Sequence, residues 1–583
     1  MRNDHSEIAK NGFPQFDRKF FESTEDFTTI GKGALGGKAS GLAYIKKIIT
    51  EKISSQDFPS VQIHIPKLTV IRTDYFDKFM KRNNLYDIAY NETSDIRIIN
   101  AFLKADLPTE ILGDLRALIE EVHSPLAIRS SSLLEDAKFE PFAGIYETKM
   151  ISNNEQNPDQ RHHKLLEAIK YVYASTFFKA AKDYMKATGN SVQDEKMAVI
   201  IQEVVGNKHG IRYYPDMSGV ARSFNFYPRG KGKPEDGVVD LALGLGKTIV
   251  DGGLSWSYCP KYPKAVPPFA NPNDMLNNTQ TKFWAVNMGP ITNYDPTKET
   301  EYLVHSDLSE AEEDKTLRYI ASTYDTSADR VVMGIGNKGP RVLNFSQLLS
   351  LNEFKFNNLL NHILEICQEA IQNPVEIEFA VNFNADNKKL KFGFLQVRPM
   401  VVPDEAVDIT EDELEADDII VASDRVLGNG TIEDLIDIVF VKPSIFEKKN
   451  TEKIAEEIDG INKKMLEEGT KYLLIGFGRW GSSDPWLGIP VNWGQISNAK
   501  VIVESTLPEI NVELSQGSHF FHNLTSFQVS YFSIRHEGKY SIDWKWLNYQ
   551  AVINETKFVK HVRLTKPMTI KVDGRTGKGV IKR

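Results

Sequence analysis

Leu126 to Met150 reads LAIRSSSLLEDAKFEPFAGIYETKM, and the fold of the chain turns on how this stretch is understood. A short apolar run, Leu126, Ala127 and Ile128, delivers Arg129 and the serines Ser130, Ser131 and Ser132 into what the composition predicts to be a loop. A turn at Phe142, Ala143 and Gly144 follows, with alternating residues leading out of it. The expected unit is a strand, a polar grip and a flexible flap. A guanidinium is a planar fork of donors, and hydroxyls and backbone amides beside it suit phosphate oxygens. A salt-bridged surface arginine in a serine-rich turn has the same composition, so the rest of the chain must decide.

Upstream, Thr28 to Lys47 (TTIGKGALGGKASGLAYIKK) predicts a glycine-rich loop running into a helix with Leu42, Ala43, Ile45 and Ile48 on one face. Lys38 stands at the helix start, where backbone amides and the helix dipole favour an anion. This is not a Walker loop: Lys32 occupies the place of the leading glycine and Ala39 that of the metal-binding hydroxyl. Glycines that merely allow tight packing would look the same. Lys67 to Ile71 reads as a strand followed by a helix capped by Thr73 or Asp74. Leu103 to Val122 and Lys164 to Ala187 read as helical, the second with a core-type apolar stripe.

Downstream, Met197 to Val205 (MAVIIQEVV) predicts a buried strand whose exit, at Gln202 and Glu203, leaves backbone groups for an adenine edge. Ser218 to Arg222 reads as a turn into another strand. Gly237 to Gly253 (GVVDLALGLGKTIVDGG) is a third glycine-rich element, and Leu241 again breaks the Walker pattern. Val375 to Met400 predicts a hairpin turning at Asn384 to Asn387. Glu376 and Glu378 on one strand, and Gln396 and Arg398 on the other, are spaced by two and so share a face. Such a set suits magnesium and a phosphoryl group, although a half-buried hairpin with a polar outer face has the same pattern.

With 583 residues, 41% of them hydrophobic, the chain is too long for one core, and about three domains are expected. A net charge of -9 argues against a nucleic-acid binder. Cys259 and Cys367 are far apart and give neither a disulfide framework nor a zinc site. The polar first residues and the lack of any window of about 18 apolar residues predict no export signal and no membrane span, and a cytoplasmic location is expected. Val401 to Asp418 reads as an acidic linker, Asn450 to Glu468 as an amphipathic helix and Lys471 to Gly476 as a strand. Between Gly476 and Gly494, Arg479, Ser482, Ser483 and Asp484 stand among glycines and tryptophans, as in an anion site or a packed turn.

Six segments in order, GGKASGLA at Gly36, IRSSS…ED…FAGIYET at Ile128, MAVIIQEVV at Met197, SGVA at Ser218, DLALGLGKTIVDGG at Asp240 and IEFA…FLQVRP at Ile377, resemble the nucleotide-binding half of the pyruvate phosphate dikinase and phosphoenolpyruvate synthase family. The resemblance covers about residues 28 to 400. It implies an α+β, α/β multidomain chain: an ATP-grasp fold in two subdomains, 1–195 and 196–402, a linker at 403–418 and a smaller α/β domain at 419–583 similar to a phosphohistidine domain. It further implies that Lys38 and Arg129 hold ATP phosphates with hydrogen bonds from Ser130, Ser131 and Ser132. The flap at Gly144 would close over them, and Gln202, Glu203 and Val205 would form the adenine hinge. Asp240 would lie near the ribose, Glu376, Glu378 and Gln396 would hold Mg2+, and Arg398 would touch the transferred phosphate.

Two departures stand out. Lys247 replaces the last glutamate of the family's GLGE segment, which puts nucleotide contacts in doubt, and the residues after the linker are too few for a pyruvate-binding barrel as well as a histidine domain. Gly517, Ser518 and His519 match the family's phosphohistidine segment in part, with His522 as a competitor three residues on. The expected activity is an ATP- and magnesium-dependent phosphotransferase passing a phosphoryl group to His519 and on to an unknown small-molecule or protein acceptor. The alternative is an ATP-binding sensor or scaffold without catalysis.

Overall fold

The computed structural model describes residues 13 to 583 apart from 23–24, 55, 136–143, 229, 266–268, 270, 292–293, 385–387, 403–406, 509 and 511–517. Phe142, Ala143, Gly517 and most of the predicted hairpin turn therefore lie outside the described residues.

The opening stretch forms the last two strands, at one edge, of a five-stranded sheet. Leu126–Ser132 runs antiparallel to Met197–Glu203 and to Thr148–Ile151, and Leu68–Ile71 and Phe27–Ile30 complete the order. Strand alternation divides its residues cleanly. Leu126, Ile128, Val199 and Ile201 enter a core shared with the helices Thr73–Arg82, Asp95–Lys104, Thr109–Glu121 and Pro158–Ser175. Ala127, Arg129, Ser131, Ile200 and Gln202 point the other way, towards the second lobe. The predicted loop at Ser130 to Ser132 is thus strand: the backbone pairs with Met197, Ala198 and Val199, so the serines continue the ladder. The long helix expected at 164 to 187 is two, Pro158–Ser175 and Lys179–Ala187, and Asn157 caps the first through the amide of Asp159.

The second lobe is built on a six-stranded sheet in the order Trp256–Tyr258, Val238–Ala242, Met217–Arg222, Val375–Asn384, Lys389–Pro399 and Val61–His64. The 375–400 hairpin forms as expected and occupies its middle. One face carries Ile377, Phe379, Val239 and Leu241 into a core with helix Phe356–Ile371. Ser218–Arg222 is wholly strand. The two sheets correct the expected division at 195/196: Met197–Glu203 belongs to the first sheet and Val61–His64 to the second, because each strand buries its apolar residues where its backbone finds partners.

The residues after the linker fold into three layers. Four parallel strands, Asp437–Val441, Tyr472–Phe477, Ala499–Ser505 and Ser530–Ile534, form the middle. Their alternate residues Ile438, Phe440, Leu473, Ile475, Val501 and Val503 pack on a small antiparallel sheet containing Ile420, Ile570, Val572 and Ile581. The opposite residues Val439, Leu474 and Ile502 pack with helix Thr451–Glu467 and with helix His519–Ser526. The predicted helix and strand at 450–476 are confirmed, and among the described residues no helix is long and apolar enough to cross a membrane. Within the expected linker, Ile409 and Leu414 are buried around the short helix Glu411–Leu414.

Candidate functional site

The glycine-rich loop reaches the first sheet through a close approach. Gly36 has φ +78, and a Cβ there would stand 1.8 Å from the carbonyl oxygen of Ser131. Helix Gly37–Lys52 starts at that contact, with the amide of Ala39 donating to Ser131 Oγ (3.1 Å) and Ser131 Oγ donating to the carbonyl of Leu35 (2.9 Å). Thr73 and Asp74 do not cap their own helix; Thr73 Oγ1 accepts from Ala34 and Asp74 Oδ1 from Lys32 and Gly33, so they hold the glycine loop.

Lys38 Nζ lies 2.7 Å from Glu135 Oε1 and 3.1 Å from Ser130 Oγ. Glu135, 1% exposed, also accepts from Ser130 Oγ (2.8 Å) and from the amide of Ser132 (2.8 Å). Each of the three serines is fully buried, and their hydrogen bonds fix Lys38, Glu135 and the helix start. The sequence reading placed Glu135 inside its motif without giving it a role; its signal was the three-residue offset from Ser132 that allows reciprocal bonding.

Arg129 bridges the lobes. Its Nη1 donates to Gln202 Oε1 (3.1 Å) and the Leu395 carbonyl (3.1 Å), its Nη2 to Gln396 Oε1 (2.6 Å), and Nη2 is 3.6 Å from Glu378 Oε2. On the polar face of the second sheet Arg222, Glu376 and Arg398 lie side by side on paired strands. Arg398 Nε donates to Glu376 Oε1 and Arg398 Nη2 to Glu378 Oε1, both at 2.6 Å, while Arg222 Nε donates to Glu376 Oε2 at 2.5 Å. Burial alone would raise the pKa of Glu376, but Arg222 and Arg398 outweigh it and hold the carboxyl well below the usual range.

That arrangement separates the expected metal ligands. Glu376 is 1% exposed and both its oxygens face guanidinium groups, so it anchors arginines and does not fit a cation ligand. Glu378 and Gln396 stand directly opposite each other nearer the mouth, and a carboxylate with an amide oxygen fits Mg2+ when nucleotide phosphates supply the other oxygens. Among the described residues no group of three or more His, Cys, Asp or Glu side chains could hold a metal ion. Asp240 is 2% exposed and faces the same charge network; burial raises its pKa against the pull of Arg222. It thus lies with the buried charges and not at an open ribose cleft. Arg222, which the sequence places only in a turn leading to a strand, shares the sheet face of Val220 two residues before it.

Beside Arg129 an apolar cluster joins Ala127, Met150 and Val204 of the first lobe to Leu245, Val286, Trp284 and Leu303 of the second. Gln202 carries a buried Nε2 without a partner at its edge. The hinge offers fewer backbone groups than expected. The amides of Glu203 and Val204 donate to Lys67 and Pro125, and Tyr213 Oη donates to the carbonyl of Val204. The Glu203 side chain turns away and accepts from Ser124 Oγ (2.8 Å), while Val205 packs against Gly393.

The C-terminal layers bring His519 to this site. Ser518 caps helix His519–Ser526 by accepting from the amide of Phe521, so the imidazole projects from the first turn. A Cβ on Gly144 (φ +64) would lie 2.4 Å from His519 Nδ1, so flap tip and ring are in contact. The pKa of His519 is lowered well below its ordinary value, first by burial and then by Arg398 and Lys38. His522, one turn on and 2% exposed, has Nδ1 4.0 Å from Glu376 Oε2; burial and Arg398 depress it to about 3. Phe521 stacks under Arg222 at 5.1 Å and against Phe226 at 5.6 Å. Of the residues singled out in the sequence, Lys38, Arg129, Glu378, Gln396, Arg398 and His519 converge.

Comparison with known proteins agrees with this geometry. Residues 32–417 match the family described as pyruvate phosphate dikinase, AMP/ATP-binding domain. A relative described as uncharacterized phosphotransferase YvkC, from Bacillus subtilis (strain 168), is 26% identical over 218 residues, 37% of this chain and 23% of the relative. The chain thus aligns with about a quarter of that protein's length.

Proposed function

The chain belongs to the pyruvate phosphate dikinase AMP/ATP-binding family, and from that premise we propose that it is a phosphotransferase in which ATP phosphorylates His519 within the same chain. The observation that carries this reading is the placement of His519, in contact with the flap and within the fields of Lys38 and Arg398. A neutral imidazole is a nucleophile, and its lowered pKa keeps a lone pair available at physiological pH.

Phosphoryl transfer asks a protein mainly for positioning and charge compensation. Lys38 and Arg129 would hold the triphosphate, with Glu135 and the serines setting the reach of Lys38. Arg398 would compensate charge on the group in flight, its guanidinium aimed by Glu376. Glu378 and Gln396 would hold magnesium, which would supply positive charge to offset that of the phosphates. The apolar residues around Ala127 and Val286 would pack on the base, with Gln202 beside them. Because Nδ1 of His519 faces Gly144, the opposite ring nitrogen is the one free to attack; the bond from phosphorus to the leaving phosphate oxygen breaks as the nitrogen–phosphorus bond forms. The phosphohistidine then donates to an acceptor, a small molecule or a protein carrier, whose identity this chain does not specify.

A protein that binds ATP only to set the angle between its domains is the second reading, favoured by the internal pairing of Glu378 and Gln396 with arginines. Phosphorus NMR of the full chain with Mg-ATP separates the two. Consumption of ATP that disappears in Glu378→Ala supports the transferase, and AMP as product identifies dikinase chemistry. ATP that binds tightly and persists supports the sensor.

A further inference from the structure

Arg479 lies in the glycine- and tryptophan-rich run whose role the sequence left between an anion site and a packed turn. The structure gives it a different task. Strand Tyr472–Phe477 ends at Gly478, and the following guanidinium, 8% exposed, reaches out of its own domain. Its Nη1 donates to the carbonyls of Gly252 (2.7 Å) and Gly253 (2.9 Å) in the ATP-binding half. The amide and hydroxyl of Ser483 donate to the carbonyl of Asp251 (3.0 and 3.2 Å), and Ser482 Oγ donates to that of Gly252 (3.4 Å). Three consecutive carbonyls of one domain are thus taken by donors of the other.

The turn that offers them is braced from behind. Lys247 Nζ lies 2.9 Å from Asp251 Oδ2 and 2.8 Å from Glu299 Oε2, and these carboxylates raise its pKa against the opposing effect of burial. The lysine that departs from the family's glutamate therefore ties the end of the GLGKTIV segment to residue 299. The turn also adjoins the histidine helix: a Cβ on Gly252 would lie 3.7 Å from Ser518 Cβ, one residue before His519. The direct acceptors are neutral carbonyls, and the charge of Arg479 also acts across the interface on the buried carboxyl of Asp240.

We propose that the Asp251–Gly253 turn and residues 479–483 form a docking clamp, and that Arg479 is a positioning residue holding His519 at the transfer site; the proposal rests on the reading of His519 as the phosphoryl acceptor. The test uses the full chain as wild type, Arg479→Ala and Arg479→Lys, and reads ATP affinity, the rate at which His519 acquires label from ATP, and the radius of gyration from small-angle scattering. Arg479→Ala is expected to slow labelling by about tenfold or more, since small misplacements of reacting groups have effects of that order. ATP affinity should stay within about twofold, the scattering profile should expand, and Arg479→Lys, which keeps the charge and loses the fork, should fall between. Labelling at the wild-type rate, or ATP affinity falling in step with it, would overturn the clamp. If wild-type His519 takes no label, the histidine reading fails by itself and scattering decides the clamp: expansion in Arg479→Ala supports it and an unchanged profile refutes it.

Discussion

Gly144 and His519 show how far single residues set this site. The glycine has φ +64, and any side chain there would enter the imidazole. Gly144→Ala should therefore cut labelling of His519 by about 10²-fold while ATP affinity, read by calorimetry, changes little. Loss of ATP binding in proportion would place Gly144 in the nucleotide site instead. Glu376 and Glu378, equivalent in the sequence pattern, are predicted to differ. Removing the buried Glu376 charge with Glu376→Gln leaves Arg222 without its carboxylate partner and Arg398 with Glu378 alone, which costs about 3–5 kcal/mol of stability. Glu378→Gln should leave thermal stability near wild type and abolish turnover. A spacing of two places both carboxylates on one face, but depth along the strand is set by what packs above it, and Phe521 and His522 come from a domain more than a hundred residues away in the chain.

At the scale of elements, the flap is anchored by a titratable group. Tyr146 Oη donates to Glu195 Oε2 (3.0 Å), and the amides of Leu133 (3.2 Å) and Lys196 (2.9 Å) donate to Oε1. Burial nevertheless pushes Glu195 up to about 7, ahead of the lowering by these hydrogen bonds. A carboxyl whose folded pKa is raised binds its proton more tightly folded than unfolded. Its contribution is complete below the unfolded value and is lost as pH rises through the folded one, a window from about 4.5 to about 7 worth at most about 3 kcal/mol. Glu195→Gln should flatten the pH dependence of urea unfolding over that window and exceed wild type in stability at pH 8. An unaltered slope would exclude Glu195 as its source. Elements of strong pattern were legible in the sequence: the 375–400 hairpin, the 197–205 strand and the 450–468 helix form as their periodicity demands. Ser130 to Ser132 misled because their hydroxyls look like loop chemistry, whereas the deciding partners, Glu135 and the backbone of Ala39, are supplied by tertiary packing. The break between Ser175 and Lys179 carries no glycine or proline to announce it.

For the whole molecule, the order of six segments was enough to specify the family, and three of them bring Lys38, Arg129, Glu378, Gln396 and Arg398 to the junction of the two lobes. The C-terminal domain was much less legible. Its histidine segment lacks the expected paired glycines, and what identifies His519 is its arrival, across the domain interface, beside Lys38, Arg398 and Gly144. Arg479 was likewise unreadable before its partners were known, since backbone carbonyls leave no trace in a sequence. The account as a whole rests on His519 as the phosphoryl acceptor. The most direct measurement is incubation of the full chain with Mg-ATP labelled at the β or γ position, followed by acid-lability and peptide mapping in wild type, His519→Ala and His522→Ala. The predicted result is acid-labile label on His519, lost in His519→Ala, retained in His522→Ala, and forming at a rate that holds as pH falls into the usual histidine range, because burial, Arg398 and Lys38 lower the pKa of the ring. Absence of label in active wild-type protein, or label that survives His519→Ala, would contradict it.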